Sequence, residues 1–528
     1  MHEMQTLKLG LLLGVLASVA SAASASSRVL FIITPGPQSH MYGMQKIAKE
    51  LASRNHTLLL LAADKEAERL RSTGLPILQF SAPPFLGGLK MQGSQSLMAS
   101  LVMASKGIAA ACLAVTSNGT IMTKLQEFQA GVIVATSLNP CTQVLASKLD
   151  KPFIDFFPAG PIDPMLTSIY PNSNRRALAP NPLPYVPQAG HTAATQHMTY
   201  IQRMENLGRY LHFVLTDFFQ LRPFLRSFYG SHGIDLSHPK EARRLVMHIF
   251  SADFALEWPR PLPPNLRLVG PLLPEPAQPL PAELEAFVGS AGDDGVLYVA
   301  MGTIATLGLA ERQAMASAFA AMPAKVLWRL SPSEVPDDAA LAELGLGNNT
   351  KVVTWAPQND VLGHPRVKAF LSHCGANSMY EAAYHGVPII GLPFFAEQPN
   401  NAAKIVAKGM GVRVRHRDIG TPAFGQAIRK VLEEPSYRAA AARLSRMLRA
   451  RRQTPVQEAA DWVEHVLATD TEPYLRTPEE ELSFIVRHNL DVNAAVAVSA
   501  LAMLMLVWQA LRAAGRLVFG RSQKLKHS

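Results

Sequence analysis

The chain reads as an α/β protein with two Rossmann-like halves and a terminal membrane-spanning helix. Three observations carry that reading. β-Prone apolar runs ending in a turn recur in both halves, at Arg28 to Gly36 and at Val296 to Ala300. The stretch from Trp355 to Gln398 packs a buried strand, a Gly-containing turn, a helix start and a second strand into one segment. Ala494 to Leu511 is almost wholly apolar, close to the roughly 20 residues that cross a bilayer once Val492 and Asn493 are counted. At 528 residues, two large domains plus extras is the natural expectation.

Composition narrows the classes. A hydrophobic fraction of 48% against 17% charged residues supplies two cores and hints at membrane contact. The net charge of +10 is spread out, no basic segment is interleaved with aromatics, and nucleic-acid binding is set aside. Three cysteines, Cys112, Cys141 and Cys374, cannot make a disulfide scaffold. No CxxC or Cys/His spacing suggests a metal site, and no structural metal is expected.

Taken in order, Lys8, the apolar run Leu9 to Ala20 and the small residues behind it have the layout of a secretory signal peptide over residues 1–25. An N-terminal anchor helix is the alternative, for which the run is short. The run from Arg28 to Gly36 is the first strand, followed by a loop, an amphipathic helix and a second strand, Leu58 to Ala62. His40 falls on that loop, at the carboxyl edge of the sheet, where α/β proteins hold catalytic groups. A lone histidine is more often a satisfied structural residue. Gly131 to Ala135 is another buried strand, and Asp155 lies in the strand-like run PFIDFF.

Residues 159–202 are rich in Pro, Ser and Asn and read as a long loop region. Its Ile169, Tyr170, Tyr185 and Val186 suit an apolar pocket or ordinary loop packing. Helical material follows from Met204 to Phe228, and a Pro-dense linker covers residues 271–284. The second half opens with the strand Val296 to Ala300, then Gly302 and Thr303, which offer donors to a diphosphate. Lys325 to Leu330 is the next strand and contains Arg329. Val367 to Leu371 is a strand, Ser372 to Gly375 a turn, and a helix begins near the N-cap types Asn377 and Ser378, with Glu381 in its first turn. Free amides and the positive helix end at such a turn suit an anion. Glu397 and Gln398 follow the strand Val387 to Leu392, at the edge where α/β sheets hold ligands. The arginines between Ala439 and Arg452 read as a solvated helix face.

The segment Trp355, Gln358, His373, Gly375, Asn377, Ser378, Glu381, Glu397, Gln398 resembles the signature of the UDP-dependent glycosyltransferases, which include animal UDP-glucuronosyltransferases and plant glucosyltransferases. The resemblance covers about residues 28 to 490. It implies two facing Rossmann-like domains of GT-B type: an acceptor domain at 26–270, a UDP-sugar domain at 285–450, and helices at 451–490 crossing back to the first. It also implies roles. Ser39-His40 matches the pair that carries the catalytic base, so His40 is the candidate base. Trp355 stacks on uracil, Gln358 meets the base edge or ribose, and Glu381 takes the ribose hydroxyls. Thr303, His373, Gly375, Asn377 and Ser378 hold the diphosphate, while Glu397 and Gln398 read the sugar. The UDP-sugar is a co-substrate, and no cofactor or metal is implied.

One departure stands out. Five residues before the Cys of the Pro-Cys pair, the family has an Asp that orients the base; here that position is Thr136, and Asp155 is the only nearby replacement considered. The activity implied is inverting transfer of a sugar from UDP-glucose, or from UDP-glucuronate, to a hydroxyl of a small lipophilic acceptor. Glu397 and the His373-Cys374-Gly375 spelling lean toward UDP-glucose. Arg329 is a candidate donor contact. The alternative is a UDP-sugar-binding protein with little transfer activity. A dinucleotide oxidoreductase needs a GxGxxG after the first strand, which is missing.

With a span at 492–511 and Arg512 and Arg516 just beyond it, positive-inside places residues 512–528 in the cytosol and the domains in the lumen. Lys524 and Lys526 resemble a dilysine retrieval signal, and the sequons at Asn55, Asn118 and Asn348 suit a luminal chain. The expected location is the endoplasmic reticulum membrane.

Overall fold

The computed structural model describes residues 27–33, 35, 38–82, 97–136, 139–161, 196–236, 238–302, 307–395, 397–469, 474–475, 482–487 and 489–524. The expected signal peptide, the acceptor-loop residues Ile169, Tyr170, Tyr185 and Val186, the diphosphate candidate Thr303 and the terminal Lys526 lie outside the described residues. The chain divides into two units, Met1–Arg476 and Thr477–Ser528.

The first unit holds two parallel sheets. Strands β1 (Arg28–Ile32), β2 (Thr57–Ala63), β3 (Ile77–Phe80), β4 (Val132–Thr136), β5 (Phe153–Phe157), β6 (Leu245–Phe250) and β7 (Leu266–Leu268) make the first, in the order β3-β2-β1-β4-β5-β6-β7. Strands β8 (Val296–Ala300), β9 (Lys325–Arg329), β10 (Thr350–Val353), β11 (Val367–Ser372), β12 (Ile389–Gly391) and β13 (Gly411–Arg413) make the second, in the order β10-β9-β8-β11-β12-β13. Strands covered on both faces read as near-continuous apolar runs, and β4, β5 and β8 are buried throughout, with Thr136 of β4 and Asp155 of β5 as buried polar positions. Alternation splits them between layers: Val29 and Phe31 join one core, Leu30 and Ile32 the other. In each sheet the strand order reverses, between β1 and β4 and between β8 and β11. The crevice at such a switch point is where ligands sit in open α/β sheets.

The helices used below are α1 (Gln38–Ser53), α2 (Leu97–Thr116), α3 (Pro140–Leu149), α4 (Tyr200–Thr216), α5 (Arg222–Ser231), α6 (Ala376–His385), α7 (Gln398–Ala407), α8 (Pro435–Arg449), α9 (Pro455–Ala468) and α10 (Leu490–Lys524). The helical run expected from Met204 is two helices, α4 and α5, joined by a π segment, Asp217–Leu221. Ala459, Ala460, Val463 and Val466 of α9 join the core under α1. Arg54, just past α1, adds bonds to Asp461 at 2.6 Å and Glu464 at 2.8 Å. Cys112 of α2 and Cys141 of α3 are disulfide-bonded, a pairing that counting cysteines did not reveal.

In the second unit, α10 contains a 25-residue stretch, Leu490–Ala514, with a mean hydropathy of 2.1 and none of it buried. It is long and apolar enough to cross a membrane and includes the span expected at 492–511.

Candidate active site

The donor candidates gather at the carboxyl edge of the second sheet. β11 ends at Ser372, and His373 follows, set between two glycines. A Cβ on Gly302 would stand 2.7 Å from the His373 Nε2, and one on Gly375 2.5 Å from it. Gly302 also has φ +76°, which side chains rarely adopt. Cys374 takes φ +65°, held by its own N–H donating to Ser372 Oγ at 3.1 Å and by Asn401 Nδ2 donating to its carbonyl at 3.0 Å. Burial lowers the His373 pKa to about 4, and the charge of Arg329 acts in the same direction. Arg329 Nη1 itself donates to the Gly302 carbonyl at 2.7 Å, so that arginine supports the loop behind β8.

The helix start differs from the expectation. Gly375 is the N-cap of α6, in extended conformation, and Asn377 and Ser378 are the second and third helical residues. The left-handed turn at Cys374 is what brings Gly375 to that place. Glu381 therefore lies in the second turn, one turn beyond the open amides. Gln358 Nε2 donates to Ser378 Oγ at 3.0 Å and to the Glu381 carboxylate, tying three predicted residues together. Burial raises the Glu381 pKa to about 7, against the Gln358 bond and the charge of Lys46. Trp355 presents an indole that is 67% exposed, an aromatic face without a packing role.

Glu397 caps the start of α7, and desolvation raises its pKa. Gln398 is buried, and its Oε1 accepts from the amides of Phe394 at 2.9 Å and Phe395 at 3.3 Å. Its carbonyl thus holds the loop after β12, leaving only its NH₂ group for a ligand.

On the first sheet, His40 lies in the first turn of α1, where a loop was expected. It is half-buried, edge-on to Phe157 with centroids 6.3 Å apart, and loss of solvation brings its pKa to about 4. A neutral imidazole at the positive end of a helix keeps its lone pair available across the physiological range. Thr136, in the position of the family's Asp, is buried at the end of β4 beside β1. Asp155, the candidate replacement, lies in the middle of β5, where its carboxylate meets His248 Nδ1 of β6 at 2.9 Å.

Lys46, which the sequence did not single out, ties α1 to the linker between the halves. It sits on α1 with His40, bonds Leu273 O at 3.0 Å and Glu275 at 2.8 Å, and its charge reaches Glu381 of α6.

Comparison with known proteins decides the family. Residues 28–525 match the family described as UDP-glucoronosyl and UDP-glucosyl transferase. The chain belongs to that family. UDP-glucuronosyltransferase 2B1 of Rattus norvegicus is 32% identical over 492 residues, covering 87% of this chain and 88% of that protein. UDP-glucuronosyltransferase 2B7 of Homo sapiens is 33% identical over 402 residues, 75% of this chain and 72% of that protein. The fold is shared with the calicheamicin glycosyltransferase CalG4, at a TM-score of 0.57 and 19% identity over 84% of this chain and 99% of that one. A UDP-glucosyltransferase from Polygonum tinctorium gives 0.59 and 19% over the same shares. The protein is a UDP-glycosyltransferase with the two-domain GT-B architecture.

Proposed function

We propose that this UDP-glycosyltransferase transfers a hexose, with inversion, from a UDP-sugar to a hydroxyl of a small lipophilic acceptor. The single observation that supports the reading is the gathering of the donor candidates at the carboxyl edge of the second sheet, where Gln358 bonds both Ser378 and Glu381 of α6. His40 takes the acceptor proton as its oxygen attacks the anomeric carbon. The leaving UDP gains charge, met by His373, the Thr303 hydroxyl and the first amides of α6 around Gly375, Asn377 and Ser378. Because His373 and the α6 amides are fixed before reaction, they favour the transition state over the ground state. Trp355 stacks on uracil, Gln358 and Glu381 hold the nucleoside, and Glu397 with Gln398 reads the sugar.

UDP-glucose is the favoured donor and UDP-glucuronate the competing one. A carboxylated sugar calls for a free cation nearby. Of the basic groups that act on these residues, Lys404 is paired with Glu257 at 2.7 Å and Arg329 bonds Gly302. The relatives named as UDP-glucuronosyltransferases keep the second donor in view. The bonded cysteines and the terminal apolar helix support luminal domains on an endoplasmic reticulum membrane anchor.

UDP release from microsomes carrying the chain tests this, with each donor offered alongside lipophilic alcohols and phenols. Acceptor-dependent release should fall by about 100-fold or more in His40→Ala, while UDP affinity is unchanged. Binding of UDP without any release would favour a sugar-nucleotide binding protein instead.

A further inference from the structure

Away from the reacting groups, one buried charged pair joins the two sheets. Glu257 follows β6 of the first sheet, and Lys404 lies on α7 of the second. Their side chains are 3% and 5% exposed and meet at 2.7 Å. Gly160, just past β5, leaves no room beside this carboxylate: a Cβ there would overlap it. From Lys404 the contact continues into the donor turn. Its Nζ reaches Asn401 Oδ1 at 3.3 Å, and Asn401 Nδ2 donates to the Cys374 carbonyl behind His373. A parallel tie lies alongside, where the Tyr380 hydroxyl of α6 accepts from Asp253 N at 2.8 Å and donates to Asp253 O at 3.2 Å.

We propose that Glu257 and Lys404 are positioning residues that lock the first sheet onto the second, while the Asn401 bond to the Cys374 carbonyl holds the His373 turn independently. A buried ion pair is a poor way to gain stability, because desolvation offsets its attraction. What it does supply is direction, since a charge removed from water tolerates only one placement of its partner. The two sheets carry the base and the leaving-group donors separately, so transfer depends on their alignment while UDP binding depends on the second sheet alone. This inference rests on the transfer reaction proposed above.

The test is Glu257→Leu/Lys404→Leu, whose apolar pair removes the charges without leaving one unpaired. Lys404→Met is the harsher companion. Spin labels at Glu68→Cys and Glu433→Cys, both exposed and one on each sheet's domain, report the inter-domain distance; the remaining free cysteine, Cys374, is buried. The double variant should broaden that distance, lower acceptor-dependent turnover about 100-fold and leave UDP affinity within about twofold. An unchanged distance distribution with wild-type turnover overturns the proposal, as does a loss of UDP affinity equal to the loss of turnover. If the wild type itself transfers no sugar, the reaction is wrong, and the distance measurement still judges the lock.

Discussion

On the second sheet, His373 stands between two glycines, its turn is held from behind by Asn401, and Gln358 cross-links Ser378 to Glu381. On the first sheet, His40 has an aromatic edge beside it and a threonine where a carboxylate is expected. Asp155, the candidate replacement for that carboxylate, is bonded to a different histidine, His248. The donor side is therefore organised by polar bonds that exist before any ligand arrives, and the base side by burial. The difference has a chemical consequence. Fixed donors stabilise a leaving diphosphate equally well for every acceptor, whereas a base without a carboxylate is sensitive to how acidic the acceptor is.

Breaking the donor side should have the larger effect. Gly375→Ala would bring a methyl within 2.5 Å of His373 Nε2, so the imidazole must leave its place. UDP affinity measured by calorimetry should fall about 100-fold, with the protein still folded. Retained affinity would mean that His373 is not a diphosphate ligand.

The base side should respond less, and in the opposite direction. Thr136→Asp places a carboxylate at the end of β4, next to the strand that feeds α1. Turnover of aliphatic alcohols should rise about tenfold, and that of phenols less, because an acidic acceptor needs the base less. The pH profile gives a second readout. With the His40 pKa lowered to about 4, imidazole is protonated only below that point, so the acid limb of kcat/KM lies near pH 4. In Thr136→Asp the limb should move up, since a neighbouring negative charge favours the imidazolium. An unmoved limb would show that residue 136 does not face His40.

The same contrast explains what could be read from the chain. All the donor candidates but Thr303 and Arg329 lie within one continuous segment, Trp355 to Gln398, where the strand, turn and helix pattern and the resemblance to the family signature grouped them. Only the helix start was displaced: Cys374 adopts a left-handed turn, giving the N-cap to Gly375 and moving Asn377 and Ser378 inside the helix. The long-range links, between the sheets and within the first one, were invisible because their partners are far apart in sequence. Glu257 and Lys404 are separated by 147 positions, and Asp155 and His248 by 93. No local pattern marks one lysine among many as the partner of a distant acid. For the same reason Asp155 looked like a free substitute for the missing carboxylate, since nothing local tied it to a histidine one strand over. The Cys112–Cys141 bond was hidden likewise, as three cysteines give parity but no geometry.

The smallest effect separates burial from bonding within the donor side itself. Burial holds the Glu381 carboxyl near pKa 7, well above an exposed glutamate, while Gln358 and Lys46 pull the other way. Below about 7 the folded protein keeps this proton and an unfolded chain, above its ordinary value, does not. The stabilisation is complete below about pH 4.5 and is lost as pH rises through 7. Donor binding should run in the reverse direction, because an ionised carboxylate is the stronger acceptor for ribose hydroxyls. UDP affinity should increase roughly fivefold from pH 6 to pH 8, the difference of about 1 kcal/mol between a charged and a neutral acceptor. Glu381→Gln should bind UDP at the weaker level and show no such rise, with the small slope left by phosphate ionisation common to both proteins. A wild-type slope that survives in Glu381→Gln would assign the titration to the nucleotide, and Glu381 would then be a structural acceptor for Gln358 alone.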